Sequence, residues 1–265
     1  MLKVLMIGYG AVAGYAAARL SGHPAVRIEW GLCRAGREAA AKAALGDDVR
    51  LITAVADLAG PVDVAVDCAG HAGLAAHGPD LLARGIDVAT VSIGALADAA
   101  LADRLADAAR AGGAQLELVA GAIGAVDALA AARQGGLDRV TYTARKPPAG
   151  WRGTAAEEAI DLDHLEAPVE FFRGTAREAA LRYPKNANVA ATIGLAGLGL
   201  DETTASLIAD PTRDGNRHEI AAAGAFGSFR FEIEGRPLPG NPKSSSLTAM
   251  AVVRAILNRA TPIRI

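Results

Sequence analysis

Through the first 121 residues, short apolar runs alternate with longer stretches whose apolar positions recur every three or four residues. "KVLMIG" reads as a buried strand, and "VRIEWGLC", "VRLIT", "VDVAVDCAG", "IDVATVSIGA" and "AQLELVAGAIGA" continue the series. "AVAGYAAARLSGH", "REAAAKAAL", "LAAHGPDLLARG" and "DAALADRLADAARAGG" between them read as helices, the last closed by a glycine pair suited to a C-cap. Strands that are apolar nearly throughout belong to a parallel sheet covered by helices on both faces.

The pattern changes near residue 122. "DRVTYTARKPP" alternates with a period of two, as a half-buried strand of a more antiparallel sheet does. "SFRFEIEGRPLPGNP" sets Phe229, Phe231 and Ile233 inward against Arg230, Glu232 and Glu234. "VEFFRGTAREAALRYP" reads as a strand or loop before a helix, "NVAATIGLAGLGL" as a helix of small residues and "ETTASLIADP" as a strand. The final "SSSLTAMAVVRAILNRA" predicts a helix with Leu247, Met250, Val253 and Leu257 on its apolar face. The expectation is a two-domain α/β protein: a doubly wound parallel sheet over residues 1–121, an α+β catalytic and dimerisation domain over 122–240, and a helix within 241–265 packing back on the first domain.

Composition narrows the classes. The chain has 265 residues, enough for a sizeable core, and a net charge of -2 that gives no electrostatic case for nucleic acid or an anionic membrane. No leader-like segment opens the sequence, and no apolar run is long enough to span a bilayer. Cys33 and Cys68 form no CxxC pair and sit in apolar runs, so both read as reduced core residues of a cytoplasmic protein. The histidines are scattered, without metal-ligand spacing, and no metal is expected.

The first chemistry-bearing motif is "VLMIGYGAVAG". Gly8 and Gly10 directly follow the first strand, and Ala13 stands where a third glycine often does. Gly8 allows the tight turn, Gly10 removes a Cβ that would meet a pyrophosphate, and Ala13 lets helix and strand pack closely. The helix N-terminus then offers free N–H groups and positive dipole to phosphates. This is the fingerprint of a Rossmann-type dinucleotide site. The acidic residue usual at the end of the second strand is replaced by Cys33–Arg34, so Arg34 can meet a 2′-phosphate or stack on adenine, and the cofactor is NAD or NADP. His71, in "VDCAGHAG" after the fourth strand, borders the same crevice but reads as a loop residue without chemistry.

"GAIGAVDAL", "GTAREAALRYPKNANVAATIGLAGLGLDETTASLIADP", "NRHEI" and "PLPGNPKSSSLTA" resemble the L-aspartate dehydrogenase family over essentially the whole chain. The resemblance implies a Rossmann domain, a catalytic α+β domain, a homodimer, and NAD(P)-dependent oxidation of L-aspartate to iminoaspartate, with pyridine-nucleotide biosynthesis as a destination for the product. It makes His218 the active-site residue and puts Ala122 and Asn188 on the cofactor. Histidine suits the proton transfer because its unperturbed pKa is about 6.5. A substrate with two carboxylates needs donors, and Lys185 and Asn186, just before a helix N-terminus, are the candidates. A homoserine dehydrogenase or dihydrodipicolinate reductase relative, or a non-catalytic NAD(P)-binding sensor, remains open on the residues alone.

Overall fold

β1 (Leu2–Ile7) sends Val4 and Met6 to one side and Leu5 and Ile7 to the other, and all four are buried. A strand can bury both faces only between two layers, and β1 is central in a six-stranded parallel sheet ordered β3-β2-β1-β4-β5-β6. The remaining strands are β2 (Val26–Leu32), β3 (Arg50–Ile52), β4 (Val64–Asp67), β5 (Val88–Thr90) and β6 (Leu116–Leu118). α1 (Ala11–Leu20), α2 (Glu38–Leu45), α3 (His71–Ala83) and α4 (Ala99–Gly112) connect them. This is the doubly wound order, whose crevice opens at the carboxyl ends of β1 and β4. α4 shows the local rules: Asp98 caps the Leu101 amide at 3.3 Å, and Gly113 ends the helix at φ 67°. The structure, a computed structural model, describes residues 1–184, 188–239 and 241–264.

One core layer joins Val4, Met6, Val64 and Val66 to Ala13 and Ala16 of α1 and to the C-terminal helix α9 (Ser246–Ala260). The other joins Leu5, Ile7 and Ala65 to Leu74, Leu81 and Leu82 of α3 and Leu105 of α4. The stripe expected on α9 is displaced. Ala249, Val252, Ala255 and Ile256 are its buried residues, whereas Met250 is 48% exposed. The helix is apolar on several sides, and the small Ala249 fits closer to the sheet layer than a methionine would.

The chain divides into two units: Met1–Gly121 with Leu238–Ser244 and Thr248 onward, and Ala122–Pro237 with Ser245–Leu247. The second unit holds a five-stranded sheet ordered β11-β10-β7-β9-β8. These strands are β7 (Leu137–Lys146), β8 (Val169–Thr175), β9 (Thr204–Ala209), β10 (Asn216–Gly224) and β11 (Gly227–Gly235). Only β7 and β9 pair in parallel; the other pairs are antiparallel. Alternation along β7 buries Val140, Tyr142, Ala144 and Lys146 and leaves Thr141, Thr143 and Arg145 half-exposed. α5 (Val126–Gly135), the short α6 (Ala156–Ala159), α7 (Ala176–Arg182) and α8 (Asn188–Ala196) belong to this unit, α7 with a Thr175–Glu178 capping box.

Candidate active site

Gly8 and Gly10 of the glycine loop are needed for different reasons. Gly8 has φ +89°, and a Cβ there would lie 3.0 Å from Ala69 Cα and Cβ, so protein packing alone demands glycine. Gly10 caps α1 with φ -72°, open to any residue, and a Cβ there would meet nothing within 4 Å. Among the described residues no protein atom requires the missing side chain at Gly10, so the space is suited to something that approaches the backbone from outside. α1 carries no side-chain cap at this end. That combination fits a dinucleotide pyrophosphate. Ala13 is fully buried in the β1 layer.

The Gly8 amide donates to Leu32 O at 2.9 Å, which ties the glycine loop to the end of β2. Arg34 follows two residues later and is exposed, as is Arg37 in the same loop. Arg37 escaped the sequence reading. At the end of β4, Asp67 is fully buried. Its carboxylate accepts from Thr90 Oγ1 at 2.7 Å, Ser92 Oγ at 2.5 Å and the Ala69 amide at 3.0 Å. Burial pushes its pKa up against these hydrogen bonds and the charge of His71. The network fixes the Cys68–Gly70 turn on which Gly8 packs. Burial also holds the Cys68 thiol protonated.

In the second unit, His218 of β10 is 4% exposed and stands opposite Ala144 of β7. Tyr142 and Lys146, two residues either side of Ala144, share its face of the sheet. Tyr142 Oη lies 2.8 Å from His218 Nδ1, and the rings stack with centroids 6.0 Å apart. Lys146 Nζ sits 4.9 Å over the Trp151 ring, in the turn Pro148–Trp151 that follows β7. Trp151 is itself fixed by an indole hydrogen bond to Ile208 O at 3.1 Å and packs edge-on against Phe171. Burial lowers the Lys146 pKa to about 8. Burial first, and then the Lys146 charge, lowers that of His218 to about 3. His218 is therefore a neutral imidazole across the ordinary pH range.

Beyond this face, Asp210 is held by Thr212 Oγ1 at 2.6 Å and faces Arg145 and Arg213 at 3.8 and 3.6 Å. Burial raises its pKa, but these partners outweigh it and keep the carboxyl below its usual range. Tyr183 is 1% exposed among Trp151, Phe171 and Phe172, and its hydroxyl has no hydrogen-bond partner among the described residues.

Of the other expected residues, Ala122 lies half-buried in the loop before α5, where Ala125 adopts a left-handed φ of 59°. Asn188 is the first residue of α8, and its carbonyl accepts from Thr192 Oγ1 at 2.8 Å. Lys185 and Asn186 lie outside the described residues. Lys146 and Tyr142 were missed. Their signal was present in "DRVTYTARK", where the period of two places a lysine on the face of Val140 and Ala144. Among the described residues no cluster of three or more His, Cys, Asp or Glu could hold a metal ion, and no helix is long and apolar enough to cross a membrane.

Residues 127–259 match the family model described as aspartate dehydrogenase, C-terminal, and residues 8–118 that described as homoserine dehydrogenase, NAD binding domain. The L-aspartate dehydrogenase of Ruegeria pomeroyi is 56% identical over 263 residues, 99% of this chain and 94% of the relative. That of Pseudomonas aeruginosa is 47% identical over 268 residues, 100% of each chain. The crystal structure of aspartate dehydrogenase from Thermotoga maritima shares the fold, with a TM-score of 0.78 at 24% identity over 100% of this chain and 99% of that one. The full-length likeness and the matched C-terminal half agree, and the chain belongs to the L-aspartate dehydrogenase family of oxidoreductases using NAD or NADP.

Proposed function

We propose that the chain oxidises L-aspartate to iminoaspartate, or in reverse aminates oxaloacetate reductively with ammonia. The observation that carries this is the buried face of the second sheet, where a neutral histidine fixed by a tyrosine sits near a buried lysine. Such a face can orient an amino acid and manage the proton of its ammonium group while excluding water. The nicotinamide, when bound, supplies the acceptor for the hydride from Cα.

In this reading Gly8, Gly10 and Ala13 hold the pyrophosphate, Arg34 meets the adenosine end, and Ala122 and Asn188 contact the cofactor. His218 engages the reacting centre, and Lys185 and Asn186 bind substrate carboxylate. A homodimer, a cytoplasmic location and a role in pyridine-nucleotide biosynthesis go with the family and are part of the proposal.

The deciding assay follows absorbance at the reduced-nicotinamide band with L-aspartate plus NAD or NADP, beside oxaloacetate plus ammonia and beside homoserine. Turnover restricted to the aspartate and oxaloacetate pair is the expected outcome. Binding of cofactor without turnover on any amino or oxo acid would overturn the enzymatic reading.

A further inference from the structure

Deepening that function, and resting on it, we propose that Lys146 takes the proton lost by the substrate's α-ammonium group, while Tyr142 fixes His218 as a hydrogen-bond donor rather than a base.

The argument begins at Tyr142. Its phenol is buried and burial holds it protonated, and its hydroxyl meets His218 Nδ1 at 2.8 Å. The proposed arrangement has this phenol donate its proton to that nitrogen. A neutral imidazole accepting at Nδ1 carries its hydrogen on Nε2. The outward nitrogen of His218 is then an N–H donor with no lone pair for a proton. It can hold a substrate carboxylate or the developing imine, but the ammonium proton needs another acceptor.

Lys146 is placed for that task. It lies two residues beyond Ala144, the cross-strand partner of His218, and on the same buried face. Diagonal neighbours of this kind stand about 7–8 Å apart, a gap that a substrate amino group can bridge. The turn after β7 encloses the side chain. Trp151 covers the ammonium at 4.9 Å, and Gly150 passes so close that a Cβ there would lie 3.3 Å from Lys146 Cβ. Ionisable groups near it include His218, whose pKa its charge lowers, Tyr142 on the same sheet face, and Asp210, whose amide donates to the Lys146 carbonyl at 2.8 Å and whose carboxylate faces Arg145 and Arg213. Burial brings the amine to about 8, so a usable fraction is neutral near physiological pH.

The step balances. One N–H bond of the substrate ammonium breaks and its proton bonds to the Lys146 Nζ lone pair. The freed amine lone pair forms the second C–N bond as the Cα–H bond breaks and its hydrogen departs with both electrons to the nicotinamide. Aspartate is oxidised by two electrons to the iminium form of iminoaspartate, the cofactor is reduced by two, and Lys146 carries the one proton until it passes to solvent.

The test compares wild type, Lys146→Met and Lys146→Arg. Arginine keeps the positive charge but accepts no proton in this pH range. Both variants should lose kcat by about 10²–10⁴-fold with NAD(P) affinity unchanged. The wild-type kcat/KM should rise with pH through about 8. A readout independent of turnover and of variant folding is acylation of the wild-type chain across pH, read peptide by peptide by mass spectrometry. Lys146 should reach half-maximal labelling near pH 8, about two units below a free lysine amine. An active Lys146→Arg, a Lys146→Met loss confined to KM, or a Lys146 labelling midpoint in the ordinary lysine range would each overturn the proposal. A wild type without aspartate turnover would instead sink the function itself, and this assignment with it.

Discussion

The two candidate sites are made from different materials. In the first unit, the nucleotide loop is backbone: three small residues within Gly8–Ala13, a helix N-terminus and a turn held by Asp67. In the second, the proposed reacting face is side chain: Tyr142, Lys146 and His218, brought together by strand register from positions 76 residues apart in the Tyr142–His218 pair. A backbone site is encoded locally and fails when bulk intrudes. A cross-strand site fails when a single functional atom is removed, and it depends on pairing that can shift every side chain to the other face.

The sharpest break of the second site is His218→Ala. With the fold intact, kcat should fall by about 10²–10³-fold, the loss of one positioned hydrogen-bond donor, while NAD(P) affinity holds, since the glycine loop is untouched. Near-normal kcat in a folded variant would remove His218 from the reacting centre. The corresponding break of the first site is Gly10→Val, which should abolish measurable dinucleotide binding by calorimetry and leave the melting temperature nearly unchanged. Gly8→Val should do the opposite and lower the melting temperature, because its Cβ meets Ala69. Equal melting losses for both would show that Gly10 too is a packing residue.

Arg34→Ala sharpens the cofactor side. Losing a charge-assisted bond to a 2′-phosphate costs about 1.5–3 kcal/mol, roughly one to two decades of NADP affinity, with NAD little affected. If both cofactors weaken alike, Arg34 does not read the phosphate, and Arg37 becomes the residue to change.

A separate effect falls on acid stability. Native His218 resists protonation down to about 3, whereas the unfolded chain takes the proton at about 6.5. Between those values the unfolded state binds more protons, so stability present above about pH 6.5 is lost as pH falls toward 3. Urea titrations of His218→Gln should show a flatter pH dependence over that window. An unchanged slope would mean that other groups govern acid unfolding.

What was legible in the sequence follows the same division. The strand-glycine-helix run of residues 2–20 carries its own meaning, because the turn, the close approach and the helix start are all local. The doubly wound order followed from apolar strands alternating with helices. The expectation that His218 is the active-site residue came through the resemblance of "NRHEI", since an isolated histidine on a strand says nothing of its neighbours. On α9, the helical spacing of the large apolar residues put Met250 on the packed face, whereas contact with the β1 layer selected Ala249, Val252 and Ile256.

The sequence alone determined the alternation that puts Val140, Tyr142, Ala144 and Lys146 on one side of β7, because side chains alternate on any strand. Only the tertiary structure decided that this side is buried at its lysine end, that the Pro148–Trp151 turn folds over it and that β10 enters with His218 opposite Ala144. Burial and cross-strand distance are properties of pairs of segments. They set the desolvation that holds His218 neutral and Lys146 near its point of titration, and no single stretch of chain contains them.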